Sequence, residues 1–278
     1  AGRNSRRTEL DQSPVNTPNQ SMRIHTRTLI AAALILASVN SIEAAKSAAG
    51  RAFQKFHLTD KFWAEGAHYA DFNHDGKMDV VVGPFWYAGP NFGQRHEFYP
   101  ATEKFEIKSK DGQSVTIPGY AGALSGRNAY ANNFLTFTYD FNSDGWADVL
   151  VFGFPGKETT WYENPQNKSD GHWKSHVVWD ETNNESPQFG DITGDGKPEL
   201  VAHSRGKLGY VELNWDDPTK MGVFRAVSHA DPKRFFRYTH GFGYGDVDGD
   251  GLVDLIERDG WWRQPKGWDK KSLWKLNR

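Results

Sequence analysis

Short apolar runs between turn-forming residues recur along the chain from residue 51 onward. Four of them directly follow acidic segments, at residues 80–82, 149–152, 200–202 and 255–256. Runs of this length with branched side chains predict buried β-strands rather than helices. A small-residue segment precedes each acidic segment, and an aromatic segment and a more variable segment follow the apolar run. Each unit is therefore predicted to form a four-stranded sheet.

The acidic segments share one nine-residue pattern and are named loop 1 (residues 71–79), loop 2 (140–148), loop 3 (191–199) and loop 4 (246–254). Oxygen-bearing side chains stand at positions 1, 3, 5 and 9, and glycine always stands at position 6, where it permits a sharp turn. Many oxygen ligands in an adaptable loop are typical of calcium, with Mg²⁺ as an alternative in some loops. The predicted metal ligands are Asp71, Asn73, Asp75, Asp79, Asp140, Asn142, Asp144, Asp148, Asp191, Thr193, Asp195, Glu199, Asp246, Asp248, Asp250 and Asp254.

The EF-hand is the obvious competing motif, because it shares the opening of this pattern. It requires a glutamate at position 12 and flanking helices. Position 12 is Val82, Val151, Ala202 or Glu257, and β-rich runs follow the loops. Each loop is therefore predicted to join two strands of a hairpin, and the EF-hand is rejected.

The repeat spacing predicts the fold class. The loops begin at residues 71, 140, 191 and 246, which is a suitable period for four-stranded propeller blades. We predict an all-β protein, a β-propeller of four-stranded blades, with four blades visible and the C-terminal part of a seven-bladed propeller missing. Residues 53–58 are predicted to form a lone outer strand, and residues 104–127 an inserted loop.

Composition narrows the function classes. The chain has no cysteine, which excludes a thiol catalyst, and its net charge of −2 gives no reason to expect a nucleic-acid partner. The four loops hold 13 acidic residues, so metal binding is expected to couple to folding. Loop 3 is expected to bind its cation least tightly, because the hydroxyl of Thr193 is a poorer ligand than an Asp or Asn oxygen.

The N-terminal region has the pattern of an export signal. Basic residues follow Met22, an apolar run covers residues 29–39, and small residues follow it. We predict a signal peptide at 22–45, an upstream segment at 1–21 that is not native to the protein, and the propeller at 46–278. The run is too short for a permanent membrane span, which predicts a secreted or periplasmic protein; an uncleaved interfacial helix is the alternative.

The loops and the Gly/Phe-rich strands before them resemble the FG-GAP/VCBS repeat of integrin-type β-propellers. A narrower resemblance, to the propeller portion of the aldos-2-ulose dehydratase family, rests on longer strings. They include Glu65-Gly-Ala, Gly83-Pro-Phe-Trp-Tyr, Trp161-Tyr-Glu-Asn-Pro and Thr239-His-Gly-Phe-Gly-Tyr. That resemblance implies seven blades, divalent metals and the dehydration of keto-sugars such as anhydrofructose. The family carries further domains after the propeller, and these are not expected within residues 46–278.

The first strand of each propeller blade lines the central channel, and ligand sites gather at its mouth. The candidates there can move a proton beside a sugar carbonyl or hold a separate catalytic divalent metal. The candidate catalytic residues are Glu65, Glu185 and His240, and the candidate ligand-binding residues are His68, Asn132, Asn133 and Tyr238. The alternative is that these groups satisfy one another inside the channel.

Other conspicuous residues have simpler interpretations. The aromatic pairs that begin at Trp86, Trp161 and Trp261 recur at one place in each unit, which favours packing between blades over sugar stacking. Arg234 is interpreted as a solvated surface residue rather than an anion-binding one, and so is Arg237. His74, at a non-ligand position of loop 1, is interpreted as merely exposed.

Two functions from different classes follow. The favoured one is a secreted, calcium-stabilised binding module for a carbohydrate or an extracellular protein. The alternative is a carbohydrate lyase or isomerase of the aldos-2-ulose dehydratase type, acting through the channel-mouth residues. Fold alone does not decide between them.

Overall fold

A computed structural model of the chain describes residues 53–101, 104–118, 132–169 and 171–278. These residues form eighteen β-strands and contain no helix. Sixteen strands build four four-stranded antiparallel sheets, and the other two form a hairpin. The prediction of an all-β chain with repeated four-stranded units is confirmed for this part of the molecule.

The four sheets follow one another along the chain, and each has its strands in sequence order. Sheet 1 contains β1 (Ala67–Ala70), β2 (Asp79–Val82), β3 (Phe85–Ala88) and β4 (Gln94–Glu97). After the hairpin of β5 (Lys104–Lys108) and β6 (Ser114–Pro118), sheet 2 contains β7 (Leu135–Tyr139), β8 (Asp148–Phe152), β9 (Lys157–Glu163) and β10 (Lys174–Thr182). Sheet 3 contains β11 (Gln188–Gly190), β12 (Glu199–Ser204), β13 (Lys207–Glu212) and β14 (Val223–Ala226). Sheet 4 contains β15 (Gly243–Gly245), β16 (Asp254–Glu257), β17 (Gly260–Arg263) and β18 (Lys275–Asn277).

Each acidic loop connects the first two strands of its sheet. The residue before the loop pairs with position 9 in all four sheets: Ala70 with Asp79, Tyr139 with Asp148, Gly190 with Glu199 and Gly245 with Asp254. The predicted hairpins are therefore confirmed, with an identical register in every repeat.

The apolar core lies between successive sheets. Alternate residues of a strand point to opposite faces, so a strand covered on both sides is apolar throughout. In β8, Val149 and Val151 join a cluster shared with sheet 1, whereas Leu150 and Phe152 join a cluster shared with sheet 3. A third cluster unites Val201 and its neighbours in sheet 3 with residues of sheet 4. The sheets thus pack face to face in chain order.

Position 2 of each loop inserts into these clusters wherever a following sheet covers it. Phe72, Phe141 and Ile192 are at most 2% exposed and pack in the clusters shared with sheets 2, 3 and 4. Val247, at the same position of loop 4, is 44% exposed, and no sheet follows sheet 4 in the described chain. The loops of the first three sheets are therefore anchored in apolar core.

The structure corrects two expectations about segments outside the repeats. Residues 104–118, expected to be part of an inserted loop, form the β5–β6 hairpin, closed by Gly112 with a φ of +82°. An Asp-Gly turn between two stretches that alternate polar and apolar residues is a hairpin signal, which the Gly and Ser content of the segment obscured. Residues 53–58, expected to be a strand, form none.

The aromatic pairs were expected to pack between blades, and core burial is confirmed for at least one member of each pair; Trp261 is only half-buried and lies in none of the described clusters. Trp86, Tyr87, Trp161 and Trp262 are each at most 8% exposed and lie in the cores between or beside the sheets. The predicted segments 1–21 and 22–45 lie outside the described residues. Within those residues, no helix is long and apolar enough to cross a membrane.

Anchoring by position 2 predicts a difference between two matched truncations. Ile192→Ala should lower the free energy of unfolding by about 2–5 kcal/mol, because it opens a cavity between sheets 3 and 4. Val247→Ala, at the same loop position but exposed, should change it by less than about 0.5 kcal/mol. Urea unfolding in calcium-containing buffer measures both, and equal losses would contradict the anchoring.

Candidate metal loops and channel-mouth residues

Two positions of every loop adopt the left-handed backbone conformation. Glycine at position 6 has a φ between +81° and +88° in all four loops. Position 4 is also left-handed, with φ values of +59° at His74, +58° at Ser143, +79° at Gly194 and +75° at Gly249. From the sequence, a sharp turn was predicted only at position 6. The glycines at position 4 of loops 3 and 4 were the available signal for the second position.

The aspartate at position 1 shapes the loop through backbone amides. In loop 1, Asp71 Oδ1 accepts from the Asp75 N–H at 3.1 Å, and its Oδ2 accepts from the Gly76 N–H at 2.9 Å. Asp140, Asp191 and Asp246 accept the position 6 N–H in the same way, at 2.8–2.9 Å. The loop conformation is therefore fixed by its own hydrogen bonds, with the acidic side chains gathered on one side.

The carboxylate at position 9 is buried and fastens the loop to its sheet. Asp79 accepts from the N–H groups of Phe72 and Gly89, both at 2.8 Å. Asp148 and Asp254 accept two backbone N–H groups at the equivalent places, at 2.8–3.0 Å. The longer Glu199 accepts from the Ile192 N–H at 2.9 Å and from the Thr193 hydroxyl at 3.1 Å. Position 9 therefore has a structural role in addition to its predicted ligand role.

Burial raises the pKa of three of these carboxyls, those of Asp79, Asp148 and Glu199, because it disfavours the charged form. The pKa of Asp148 rises to about 7, mainly through burial, with a smaller contribution from the carboxylates of Asp144 and Asp140. Burial also raises the pKa of Glu199 to about 7, and that of Asp79 in the same direction. A cation at the loop would offset this cost by pairing with the charge.

The oxygen positions fit a calcium ion. Carboxylate oxygens of Asp191, Asp195 and Glu199 lie within 4.8 Å of one another, as do those of Asp246, Asp248 and Asp254. Two oxygens that both contact one Ca²⁺ at about 2.3–2.6 Å cannot be more than about 5 Å apart. Loops 3 and 4 therefore present donors of suitable chemistry at suitable distances.

Side chains of the following sheet contact the loop before it. Asn164 of sheet 2 donates to the Phe72 carbonyl of loop 1 at 2.9 Å, and Gln264 of sheet 4 donates to the Ile192 carbonyl of loop 3 at 2.9 Å. His74 of loop 1 stacks on Trp146 of loop 2, with ring centroids 3.7 Å apart. His74 is exposed, as expected, but it also links two neighbouring loops, which sequence reasoning missed.

The structure joins two of the three candidate catalytic residues. His240 Nε2 lies 2.7 Å from Glu185 Oε2, although the residues are far apart in the chain. The Glu185 side chain is 16% exposed and that of His240 is 74% exposed, so the pair borders solvent. Glu65 is exposed and makes no hydrogen bond or ion pair with either residue within the described ranges; its backbone N–H donates to Phe134.

The four candidate ligand-binding residues have different environments. Asn133 is 2% exposed, and its amide contacts Gly83, Tyr99 and Thr136, which favours a packing role.

The other three residues are less buried than Asn133. His68 Nδ1 lies 2.8 Å from the Thr138 hydroxyl, and burial lowers the pKa of His68. Asn132 accepts from the Phe154 N–H at 3.4 Å. Tyr238 is 46% exposed with a φ of +68°, an unusual conformation that the surrounding segment holds in place.

A buried histidine supports the segment that carries Tyr238 and His240. The Thr239 hydroxyl lies 2.8 Å from His203 Nδ1, and the Thr239 carbonyl accepts from the Glu185 N–H at 2.9 Å. Burial lowers the pKa of His203 to about 4, and the charge of Arg234 adds to the effect. Sequence reasoning did not identify His203, because only the fold brings it to Thr239.

Arg234 is not a solvated surface residue, in contrast to the expectation. Its side chain is 16% exposed and forms an ion pair with the nearly buried Glu257. Its guanidinium carbon also lies 5.5 Å from the centre of the Trp262 ring. Arg237 donates to Asn183 at 3.3 Å. Both arginines therefore hold the segment that leads to Tyr238.

The comparisons with known proteins support part of the predicted resemblance. The FG-GAP-like repeat family matches residues 140–202, which include loops 2 and 3. No curated protein matches the chain. Among solved structures, the chain is similar to the biofilm matrix protein Bap1 of V. cholerae, with 14% sequence identity and a TM-score of 0.36. That match covers 76% of this chain and 31% of Bap1, so the chain spans less than a third of the protein it matches. The resemblance to aldos-2-ulose dehydratase is not among these findings.

The two roles of position 9 predict a difference within loop 1. In chelator, Asp79→Asn should lower the free energy of unfolding by about 1–3 kcal/mol, because one of the two N–H donors then faces an amide NH₂. Asp75→Asn should change it by less than about 0.5 kcal/mol, because the new amide oxygen can still accept from the Lys77 N–H, which Asp75 accepts at 2.9 Å. Urea unfolding measures both values. Equal losses would show that position 9 does not fasten the loop.

His203 predicts a specific acid sensitivity. Its folded pKa of about 4 lies below its unfolded value of 6.5, so the unfolded chain binds an additional proton between these pH values. Stability should therefore fall as the pH drops through this window, by roughly 2–3 kcal/mol from this residue. In His203→Gln the decline should be correspondingly smaller. Urea unfolding at several pH values tests this, and identical pH profiles for both proteins would contradict the assignment.

Proposed function

We propose that this chain is a calcium-binding module of FG-GAP-like repeats that binds a carbohydrate or an extracellular protein outside the cell. The observation that carries the proposal is the repetition of one oxygen-rich loop in four sheets with an identical register. Donor type, turn geometry and register are the same in all four loops, as a shared kind of ligand would require. Oxygen-only donors in adaptable loops favour calcium, with Mg²⁺ as the alternative in some loops.

We further propose that the sheets are blades of a β-propeller. They pack face to face in chain order, and their first strands adjoin: a Cβ added at Gly66, just before β1, would lie 2.8 Å from Leu135 at the start of β7. In a propeller, such first strands line the central channel. In a propeller, the Glu185–His240 pair, which precedes β11 and β15, would lie at the channel mouth.

Carbohydrate is the proposed ligand class for this mouth. A carboxylate, an imidazole and the exposed phenol of Tyr238 provide the donors, acceptors and ring surface that sugar hydroxyls and sugar faces require.

The proposed signal peptide at residues 22–45 would deliver the protein to a compartment where calcium is plentiful, so that the loops would be filled there.

A second function, that of a carbohydrate lyase, is favoured by the short contact between Glu185 and His240. A carboxylate beside an imidazole can remove a proton next to a sugar carbonyl and then assist the departure of hydroxide. This is the reaction type of the dehydratase family that the longer sequence strings resemble. The pair belongs to both proposals, so its substitution alone does not distinguish them.

Calorimetry of the full chain tests the proposal. Calcium should raise the melting temperature markedly above its value in chelator, because each filled loop stabilises the folded state by ligand linkage. Anhydrofructose and related keto-sugars are then titrated into the calcium-loaded protein and into Glu185→Gln, which should bind them more weakly. An unchanged melting temperature with calcium would overturn the metal proposal. Release of an absorbing enone from bound sugar would instead favour the lyase.

A further inference from the structure

Loop 4 differs from the other loops in having an arginine across its acidic side chains. Arg263, at the end of β17, places Nε 2.8 Å from Asp248 Oδ2 and Nη2 2.9 Å from Asp250 Oδ2. These carboxylates are positions 3 and 5 of the loop, which are two of its predicted calcium ligands. The guanidinium thus contacts both with separate N–H donors, which gives charge-assisted hydrogen bonds.

The register of the sheets shows that this cation is particular to sheet 4. Arg263 follows Trp262, which pairs with Leu255 directly after loop 4. The equivalent residues, which follow Tyr87, Tyr162 and Val211 in the same register, are Ala88, Glu163 and Glu212. Among the described sheets, only sheet 4 has a basic residue at this place.

The arginine accompanies an additional negative charge. Position 3 is Asn73, Asn142 and Thr193 in the first three loops, which therefore carry three carboxylates each. Asp248 gives loop 4 a fourth carboxylate, and Arg263 contacts Asp248 directly. With the arginine included, loop 4 has a net charge of −3, equal to that of loop 2, whereas Lys77 and Lys197 give loops 1 and 3 a net charge of −2.

We propose that Arg263 is an intramolecular counter-ion of loop 4 that competes with calcium for Asp248 and Asp250, so that loop 4 has the lowest calcium affinity of the four loops and fills last. This inference rests on the proposed calcium function. The expected order of calcium affinity therefore differs from the one based on the sequence, in which Thr193 makes loop 3 the weakest site.

The surroundings of Arg263 add to the cost of displacing it. A cavity of about 540 Å³ beside loop 4 is lined by Asp250, Arg263, Lys266 and Lys275, among others. A guanidinium that leaves the carboxylates therefore moves among like charges. The Arg263 side chain is 48% exposed, so solvent screens part of this repulsion and the exchange with calcium remains reversible.

Titration calorimetry of the chelator-treated full chain with CaCl₂ tests the proposal. Arg263→Gln should raise the affinity of the weakest site by roughly tenfold, because a competing positive charge is removed from hydrogen-bond distance. It should also lower the melting temperature in chelator, since four carboxylates then lack their counter-ion. Arg263→Lys, which keeps the charge but not the fork geometry, should lie between the two proteins.

Two controls assign the effect to loop 4. Lys266→Gln removes the same charge from the same cavity and should shift the weakest site much less. Asp250→Asn combined with Arg263→Gln should abolish the gain in affinity. An unchanged or lower affinity in Arg263→Gln, with calcium still bound by the other loops, would overturn the role of Arg263 alone. Absence of calcium binding in the wild type and all variants would overturn the calcium function together with it.

Discussion

Each repeat depends on the hydrogen bonds that backbone N–H groups donate to the buried carboxylate at position 9. It begins the second strand, and in three of the four loops it accepts two backbone N–H groups, one from the loop and one from the chain beyond the third strand. In loops 1 to 3, burial makes its charge costly, and nearby acidic side chains add to that cost. The group that fastens the loop to its sheet is therefore also one whose charge a bound cation would stabilise.

Much of the repeat structure could be predicted from the sequence, because its determinants are local. Residues 71–79 contain the turn glycine, the alternating oxygens and the start of the next strand within nine positions. The contacts that were missed join distant residues, such as His74 with Trp146 and Arg234 with Glu257. Single-sequence patterns do not specify such partners. For Asn133, the sequence predicted a place next to the first strand of sheet 2, but it did not predict that the side chain is buried.

The Glu185–His240 pair owes its geometry to groups that take no part in it. His203 contacts the Thr239 hydroxyl, and the Asn183 carbonyl accepts from the Tyr238 N–H. Arg234, a few residues earlier in the chain, forms an ion pair with Glu257 of sheet 4. Because most of these groups are buried, substitutions among them would move Tyr238 and His240 without touching a ligand. The Glu185–His240 pair is thus a surface feature supported by the core between sheets 3 and 4.

The hydrogen bonds from Asn164 and Gln264 run in one direction along the chain, from a later sheet to the loop of the sheet before it. The apolar residues at position 2 of loops 1 to 3 have the same dependence on the sheet that follows. In a stacked array, nearest-neighbour contacts determine how disorder spreads. Local melting of one sheet would therefore release a cation bound in the loop of its predecessor before one bound in the loop of its successor, and the order of ion loss would mark where unfolding begins.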